Sequence, residues 1–218
     1  QPDPRAARIT LRHLLTMTTG FSVDRRNGYY RQQPGDAWAR PLAAAPGERF
    51  AYDNATVAML SAVLARATGQ RVEDHAREQL VRPLGMAEPD YERGLHLRTQ
   101  DMARLGQLML DGGLWNGQRL LPADFAAAAT QPQHSGGPPV GLPIGYLWWA
   151  VPSEGALRNT FMASGYGGQM VWVYPPLKLV VAVTSTVSPD SQQRGHAVLL
   201  VRGGLVPAVQ RRLEMAPR

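Results

Sequence analysis

The stretch PGERFAYDN, residues 46–54, determines how the rest of this chain is interpreted. Its last three residues place a phenol, Tyr52, and a carboxamide, Asn54, two positions apart where a helix is predicted to begin. A phenol can give or take a proton near a reacting centre, and a carboxamide can hold a substrate amide through both an acceptor and a donor. The pattern predicts part of an acyl-transfer site and raises the question of where its nucleophile lies.

The sequence after this stretch has the composition and boundaries of a helix. Asn54 is predicted to be its N-cap, the residues through Thr68 are rich in Ala, Leu and Val, and Gly69 supplies the stop. Further helices are predicted over residues 8–17 and 72–81, after a cap at Thr99, after Pro122 and from residue 188 onward, the last interrupted by Gly203, Gly204 and Pro207.

The C-terminal part has a different pattern. Short segments rich in Val, Trp, Tyr and Met predict antiparallel strands. They cover residues 146–151, 159–163, 169–174 and 179–185, and the Pro- and Gly-rich residues 131–143 are predicted to be a loop. The order of helices, then strands, then a helix predicts an α+β fold. The predicted organisation is one partial domain over residues 1–218, helical to about residue 143, with strands and a terminal helix from about residue 144.

Composition limits the possible classes of function. The net charge is +6, but the basic residues are mostly scattered arginines without interleaved aromatics, so no nucleic-acid partner is predicted. There is no apolar run of the roughly 18 residues that a membrane span needs, and the first residues lack a signal-peptide pattern. The compartment stays open between periplasm and cytoplasm. The absence of cysteine excludes disulfides and thiolate catalysis.

The remaining polar residues give no sign of a metal or cofactor. The five histidines are dispersed, without a paired-ligand spacing, so no metal site is predicted. Gly165, Gly167 and Gly168 lack the spacing of a dinucleotide-binding loop and indicate a tight turn between strands. No cofactor is predicted for the chain.

Residues 46–70, PGERFAYDNATVAMLSAVLARATGQ, resemble the second motif of the serine β-lactamase-like superfamily. The relevant branch holds class C β-lactamases, DD-peptidases, family VIII esterases and 6-aminohexanoate-dimer hydrolases. Other segments resemble the same branch in the expected order: ITLRHLLTMTTGF (9–21), TQDMARLGQLMLDGGLWNGQRLLP (99–122), GYLWWAVP (145–152) and FMASGYGGQMVWVYPPLKLVVAVTS (161–185). The resemblance covers nearly the whole chain and implies an antiparallel sheet flanked by helices, with a helical subdomain.

The resemblance implies a role for each matching residue. In that family a serine of an S-x-x-K motif attacks the acyl carbon, and a Tyr-x-Asn motif and a K-T-G-like motif complete the site. Tyr52 is then the proton-transfer residue, and Asn54 is the amide that orients the substrate. Ala163, Ser164 and Gly165 form the third motif beside the substrate. The backbone N–H of Tyr166 is an oxyanion donor.

Two departures from the family pattern affect the predicted function. Ala163 stands where many relatives have a lysine or histidine, which favours an esterase or amidase over a penicillin-recognising β-lactamase. The sequence has a single lysine, Lys178, with Pro175 three positions before it, so S-x-x-K is absent from these residues. A free tyrosine has a pKa of about 10 and needs a neighbouring cation to act as a base near neutral pH. We expect that an N-terminal part of the fold is missing and that the 218 residues alone are inactive.

Other interpretations stay open at the level of sequence. True loss of the motif would make the protein a non-catalytic relative that binds a peptide or acyl ligand. Ser164 could equally be a hydroxyl that satisfies a strand end. The expected partner is a small ester or amide substrate. An incomplete sheet would expose an edge, which predicts self-association or binding of the missing N-terminal segment.

Overall fold

The structure is a computed structural model and describes residues 3–23, 33–92, 94–165, 167–186 and 191–215. The chain forms two compact units. The first contains Gln1–Pro83 and Ala127–Ala150, and the second contains Leu84–Ala126 and Val151–Arg218. The boundary predicted near residue 143 separates helical from strand-rich sequence, and as a statement about domains it stays a prediction.

In chain order the α-helices of the described residues are α1 Leu11–Leu15, α2 Pro34–Trp38, α3 Asn54–Thr68, α4 Val72–Ala76, α5 Thr99–Leu110, α6 Ala123–Thr130, α7 Ser191–Leu199 and α8 Val206–Met215. The strands are β1 Leu114–Trp115, β2 Gln118–Arg119, β3 His134–Gly137, β4 Leu142–Ile144, β5 Trp149–Ala150, β6 Phe161–Ser164, β7 Met170–Tyr174 and β8 Leu179–Val183. These helices and antiparallel strands confirm the predicted α+β class.

The first helix is shorter than predicted. The amphipathic pattern predicted a helix over residues 8–17, whereas α1 covers five residues and a 3₁₀ turn, Pro4–Arg8, precedes it. Thr10 caps α1, because its hydroxyl accepts from the backbone N–H of His13 while the His13 ring accepts from the N–H of Thr10. This reciprocal pair fixes the start of the helix at Leu11. Soon after α1 ends, Met17 takes a positive φ of 54°.

The start of α3 also differs from the prediction. Asn54 was expected to be the N-cap, but Asp53 occupies that position and Asn54 is the first helical residue. Asp53 has the extended backbone of a cap, and its carboxylate accepts from the N–H of Ala55 at 3.2 Å. Both residue types are good caps, so the pattern alone could not decide between neighbours. The end of α3 is as predicted, since Gly69 adopts the left-handed conformation.

Residues 131–143 are not simply a loop. The Gly and Pro content predicted one, but β3 and β4 pair there as an antiparallel hairpin, with a register shift between His134 and Gly137. The glycine at position 136 lies within this register shift. Gly136 has a φ of +68°, and a Cβ on it would collide with the carbonyl oxygen of Leu142. Strand β4 then pairs with β5 through Ile144 and Trp149.

The most regular strands, β6, β7 and β8, lie in the second unit. They are close to three of the four predicted strands, whereas the strand predicted over residues 146–151 is reduced to the two residues of β5. Strands β6, β7 and β8 form an antiparallel meander, in which β7 is buried along its whole length. Helix α5 lies against β7 and β8 at Gly106, where a Cβ would come within 2.7 Å of methyl groups of Val171 and Val180. The absence of a side chain at Gly106 therefore permits the close approach of α5 to the strands.

Two helix predictions in this unit need adjustment. Thr99 was expected to cap α5, but Arg98 is the cap position and Thr99 is the first helical residue. Gly203 and Gly204 do not break the C-terminal helix. They lie in a π-helical turn, Leu200–Leu205, that joins α7 to α8. Within the described part of the chain, no helix is long and apolar enough to cross a membrane.

Candidate active site

The segment that carries Tyr52 is held by its backbone against the end of α1. The N–H of Ala51 donates to the carbonyl of Met17 at 2.9 Å, and the N–H of Gly47 donates to the carbonyl of Thr18 at 2.7 Å. Thr16 and Thr18 are buried here and share a hydroxyl–hydroxyl hydrogen bond of 2.8 Å. The PGERFAYDN segment therefore lies alongside the TMT sequence after α1, and the two segments that resemble family motifs meet in one unit.

Asp53, between the two predicted site residues, is the most tightly held member of the segment. Its side chain is 1% exposed. One carboxylate oxygen accepts from the Thr56 hydroxyl at 3.1 Å and from the Arg40 guanidinium at 3.0 Å, and the other caps α3. A buried carboxylate with this many partners fixes the backbone on both sides of it. The directions of Tyr52 and Asn54 therefore depend on Asp53.

Tyr52 and Asn54 themselves are half-buried, so each retains some surface open to solvent. Tyr52 is the last residue before the cap, and Asn54 opens the helix. They flank the buried Asp53 in the sequence. The predicted roles in acyl transfer require side chains that are partly exposed and a backbone that is fixed, and Tyr52 and Asn54 meet both conditions.

An aromatic cluster supports Tyr52 within the same unit. The Tyr52 ring is stacked on the indole of Trp149, with centroids 6.5 Å apart and planes inclined by 10°. Trp149 in turn receives Phe50 edge-on at 5.8 Å, and Phe50 stacks on the His134 ring at 6.3 Å. Phe50 and Trp149 are buried. Trp149 is therefore a core residue, and its contact with Tyr52 is one that the sequence did not predict.

His13 lies beside the first residues of the same segment. A Cβ built on Gly47, which has a φ of +90°, would come within 3.1 Å of the His13 Nε2. Burial lowers the pKa of His13, and the neighbouring Arg12 acts in the same direction. The neutral ring suits its role, because Nδ1 accepts a hydrogen bond from the Thr10 N–H. The capping of α1 is therefore linked to the protonation state of His13.

The residues of the predicted third motif lie in the second unit. Ala163 and Ser164 are the last two residues of β6, paired with Val171 and Met170 of β7, and both are half-buried. Gly165 follows and is exposed, and its N–H donates to the carbonyl of Gln169 at 2.8 Å. That bond closes a tight turn between β6 and β7, as predicted. Tyr166, whose N–H was predicted to face the oxyanion, lies outside the described residues.

The structure thus groups the predicted residues into two sets, one in each unit. Tyr52 and Asn54 belong to the first, and Ala163, Ser164 and Gly165 belong to the second. The sequence did not predict Arg40 as the partner of Asp53, because nothing in a spacing of thirteen residues signals an ion pair. Across the part of the chain that the structure describes, no group of three or more histidine, aspartate or glutamate side chains could hold a metal ion.

Comparisons with known proteins define the class and then the family. The fold is of the β-lactamase and transpeptidase type, in agreement with solved structures that match it along most of its length. The chain belongs to the β-lactamase family, because the model of that family, described as "Beta-lactamase", matches residues 1–203. This confirms the resemblance inferred from residues 46–70 and the segments around them.

The individual relatives are distant or match only in part. D-alanyl-D-alanine-carboxypeptidase/endopeptidase AmpH of Escherichia coli K12 is 32% identical over 108 residues, which is 41% of this chain and 26% of AmpH. A Bacillus anthracis protein assigned as a 6-aminohexanoate-dimer hydrolase has a TM-score of 0.74 and 21% identity, covering 97% of this chain and 63% of that one. A penicillin-binding protein from Bacillus halodurans has a TM-score of 0.66 and 19% identity, covering 88% and 72%. The chain therefore spans only part of the length of these relatives.

Proposed function

We propose that this chain supplies the proton-transfer and substrate-orienting part of a serine hydrolase that cleaves an ester or amide through an acyl-enzyme. The observation that carries the proposal is the arrangement of Tyr52 and Asn54 on either side of the buried, ion-paired Asp53. The arrangement lies inside the stretch that matches the β-lactamase family. In this proposal Tyr52 is the catalytic residue for proton transfer, and Asn54 holds the acyl group of the substrate.

The chemistry divides into two steps. A serine hydroxyl adds to the carbonyl carbon, its proton passes through Tyr52 to the leaving oxygen or nitrogen, and the acyl group stays on the serine. Water then adds to the acyl-enzyme carbonyl, its proton passes through Tyr52 to the serine oxygen, and the bond to the serine breaks, which releases the acid and restores the serine hydroxyl. The 218 residues contain no S-x-x-K motif, so the proposal requires a serine and a lysine from outside these residues.

Ala163 determines which substrates we favour. A cation at this position would pair with a substrate carboxylate next to the scissile bond, and an alanine methyl group cannot. We therefore favour esters and amides without that carboxylate over β-lactams. One structural relative is assigned as a 6-aminohexanoate-dimer hydrolase, which is consistent with an amide substrate. Ser164, half-buried at the end of β6, is proposed to contact the substrate.

A second candidate is a non-catalytic protein that binds a peptide or acyl ligand with the same residues. The observation in its favour is the absence of S-x-x-K from these residues, because that motif supplies the nucleophilic serine in the family that the sequence resembles. The two candidates differ in one respect that can be measured. Only the enzyme turns over a substrate, whereas both are expected to bind one.

The test is an activity assay on the full-length protein that contains these residues. We expect hydrolysis of p-nitrophenyl esters and of linear amides, with weaker action on a chromogenic cephalosporin. Tyr52→Phe should lower kcat by roughly 10²- to 10⁴-fold, the usual contribution of a general acid–base. Tyr91→Phe, a half-buried tyrosine in the second unit, is the control and should retain activity. Full activity of Tyr52→Phe would refute the proposed role of Tyr52, and binding without turnover would favour the second candidate.

A further inference from the structure

The contact between Tyr52 and Trp149 has a geometry that a general core contact does not require. The two rings are nearly parallel, inclined by only 10°. Offset stacking of this kind is one of the preferred arrangements of aromatic pairs and gains energy beyond burial alone. Trp149 is 3% exposed and Tyr52 is half-buried, so the phenol lies parallel to a buried indole while part of the phenol stays open to solvent.

Trp149 is itself held from more than one direction. Its backbone belongs to β5, paired with Ile144 of β4. Its ring receives the edge of Phe50, with an interplanar angle of 65°. Phe50 has little freedom, because it stacks on His134 and a Cβ on Gly137 would lie 3.1 Å from its Cδ1. The indole of Trp149 is therefore held in one orientation.

Phe50 and Tyr52 are two positions apart in the sequence, and their rings contact the same indole. The N–H of Ala51 between them is bound to Met17, which keeps the segment in place. The orientation of the Tyr52 ring is thus limited by its backbone and by the parallel indole beside it.

We propose that Trp149 is a positioning residue that sets the ring plane of Tyr52 and, through it, the direction of the phenolic O–H. The effect of Trp149 on proton transfer rests on the proposed function, whereas its effect on the ring plane of Tyr52 does not. Trp149 does not act on the substrate, because it is buried. It limits the phenol to orientations parallel to the indole, so the proton donor is aligned before the substrate arrives.

The test uses three variants of the full-length protein. Trp149→Leu removes the aromatic surface, and Trp149→Phe keeps a flat ring in the same place. Trp172→Leu is the matched control, because Trp172 is equally buried and stacks on Tyr174 at 7°, in the second unit. If Trp149 orients Tyr52, Trp149→Leu should lower kcat ten- to about a hundredfold, as small misplacements of a catalytic group do, with KM within about twofold. Trp149→Phe should recover most of the loss.

A spectroscopic measurement separates this proposal from the proposed function. In protein labelled at tyrosine rings, the resonances lost in Tyr52→Phe identify Tyr52. Trp149→Leu should shift those resonances by removing the indole ring current, and Trp172→Leu should leave them in place. This result is expected even if the protein hydrolyses nothing. Unmoved Tyr52 resonances in Trp149→Leu would overturn the proposal, and so would equal losses of kcat in all three variants, which indicate a general loss of structure.

Discussion

The guanidinium of Arg40 lies 3.0 Å from the carboxylate of Asp53, which is 1% exposed and stands between the two predicted site residues. The pair links the segment after α2 to the start of α3. A carboxylate in this position needs a partner, because an isolated buried charge is costly. Asp53 therefore has three functions at once: it pairs with Arg40, caps α3 and fixes the backbone that presents Tyr52 and Asn54.

Replacing Asp53 tests this arrangement. Asp53→Ala removes the cap and leaves the Arg40 guanidinium without its carboxylate, so we expect a loss of about 2 to 4 kcal/mol in the free energy of unfolding. Asp53→Asn keeps a capping oxygen and should lose less. Urea unfolding measures both. The control is Asp74→Asn, whose ion pair with Arg77 is only half-buried and should be worth less than about 1 kcal/mol. Equal losses at positions 53 and 74 would contradict the assigned role of Asp53.

Two glycines in helices of the second unit should respond in opposite directions to the same substitution. Gly106→Ala places a Cβ within 2.7 Å of Val171 and Val180, so overpacking should cost about 1 to 3 kcal/mol. Gly195→Ala in α7 meets nothing within 4 Å and should stabilise by up to about 1 kcal/mol through helix propensity. Thermal unfolding of the two variants provides the comparison. A neutral Gly106→Ala would show that α5 does not approach the strands this closely.

His13 should make stability depend on pH. Burial lowers its pKa, so below about pH 6.5 the unfolded chain binds a proton that the folded chain does not. Its contribution is fully present above that pH and is lost as the pH falls toward the folded pKa. His13→Gln keeps an acceptor for the Thr10 N–H and cannot titrate. We expect the variant to match the wild type at pH 8 and to lose less stability between pH 7 and pH 5. Identical pH profiles would contradict the half-buried, neutral state of His13.

Tyr174 should make the stability of the protein depend on pH in alkaline solution. Burial raises the pKa of Tyr174 to about 12, although the charge of Arg202 offsets part of the effect. Between pH 10 and 12 the unfolded chain loses this proton first, so stability falls as the pH rises. Among the residues that the structure describes, its buried hydroxyl has no hydrogen-bond partner, so Tyr174→Phe should cost little at pH 7 and should flatten the decline above pH 10. A large loss at pH 7 would indicate a hidden partner.

Most of the fold could be predicted, because its signals are local. Gly69 ends α3 where expected, and the short Val-rich segments predicted β7 and β8. The hairpin of β3 and β4 was missed, because its glycines are also typical of loops and their role appears only when Gly136 packs against Leu142. The expectation that an exposed sheet edge leads to self-association or to binding of the missing N-terminal segment stays a prediction.

The site was predictable in part for a similar reason. Tyr52 and Asn54 lie two positions apart, so their motif could be read directly, and the family match covers both residues. Their roles in catalysis stay a prediction. The residues that hold them come from elsewhere in the sequence. Arg40 precedes Asp53 by a stretch without a regular pattern, and Trp149 reaches Tyr52 only because β5 folds back beside residues 50–52. Contacts of this kind depend on tertiary structure, which spacing alone does not encode.

We propose that Tyr52 serves a serine nucleophile that these 218 residues do not contain. Intact-mass spectrometry after treatment with a fluorophosphonate tests this proposal. We expect no covalent adduct on the 218 residues alone. We expect one adduct on the serine of an S-x-x-K motif in the full-length protein, formed more slowly in Tyr52→Phe than in Tyr91→Phe. A stoichiometric adduct on a serine within the 218 residues, or labelling of the full-length protein at the same rate in both variants, would contradict it.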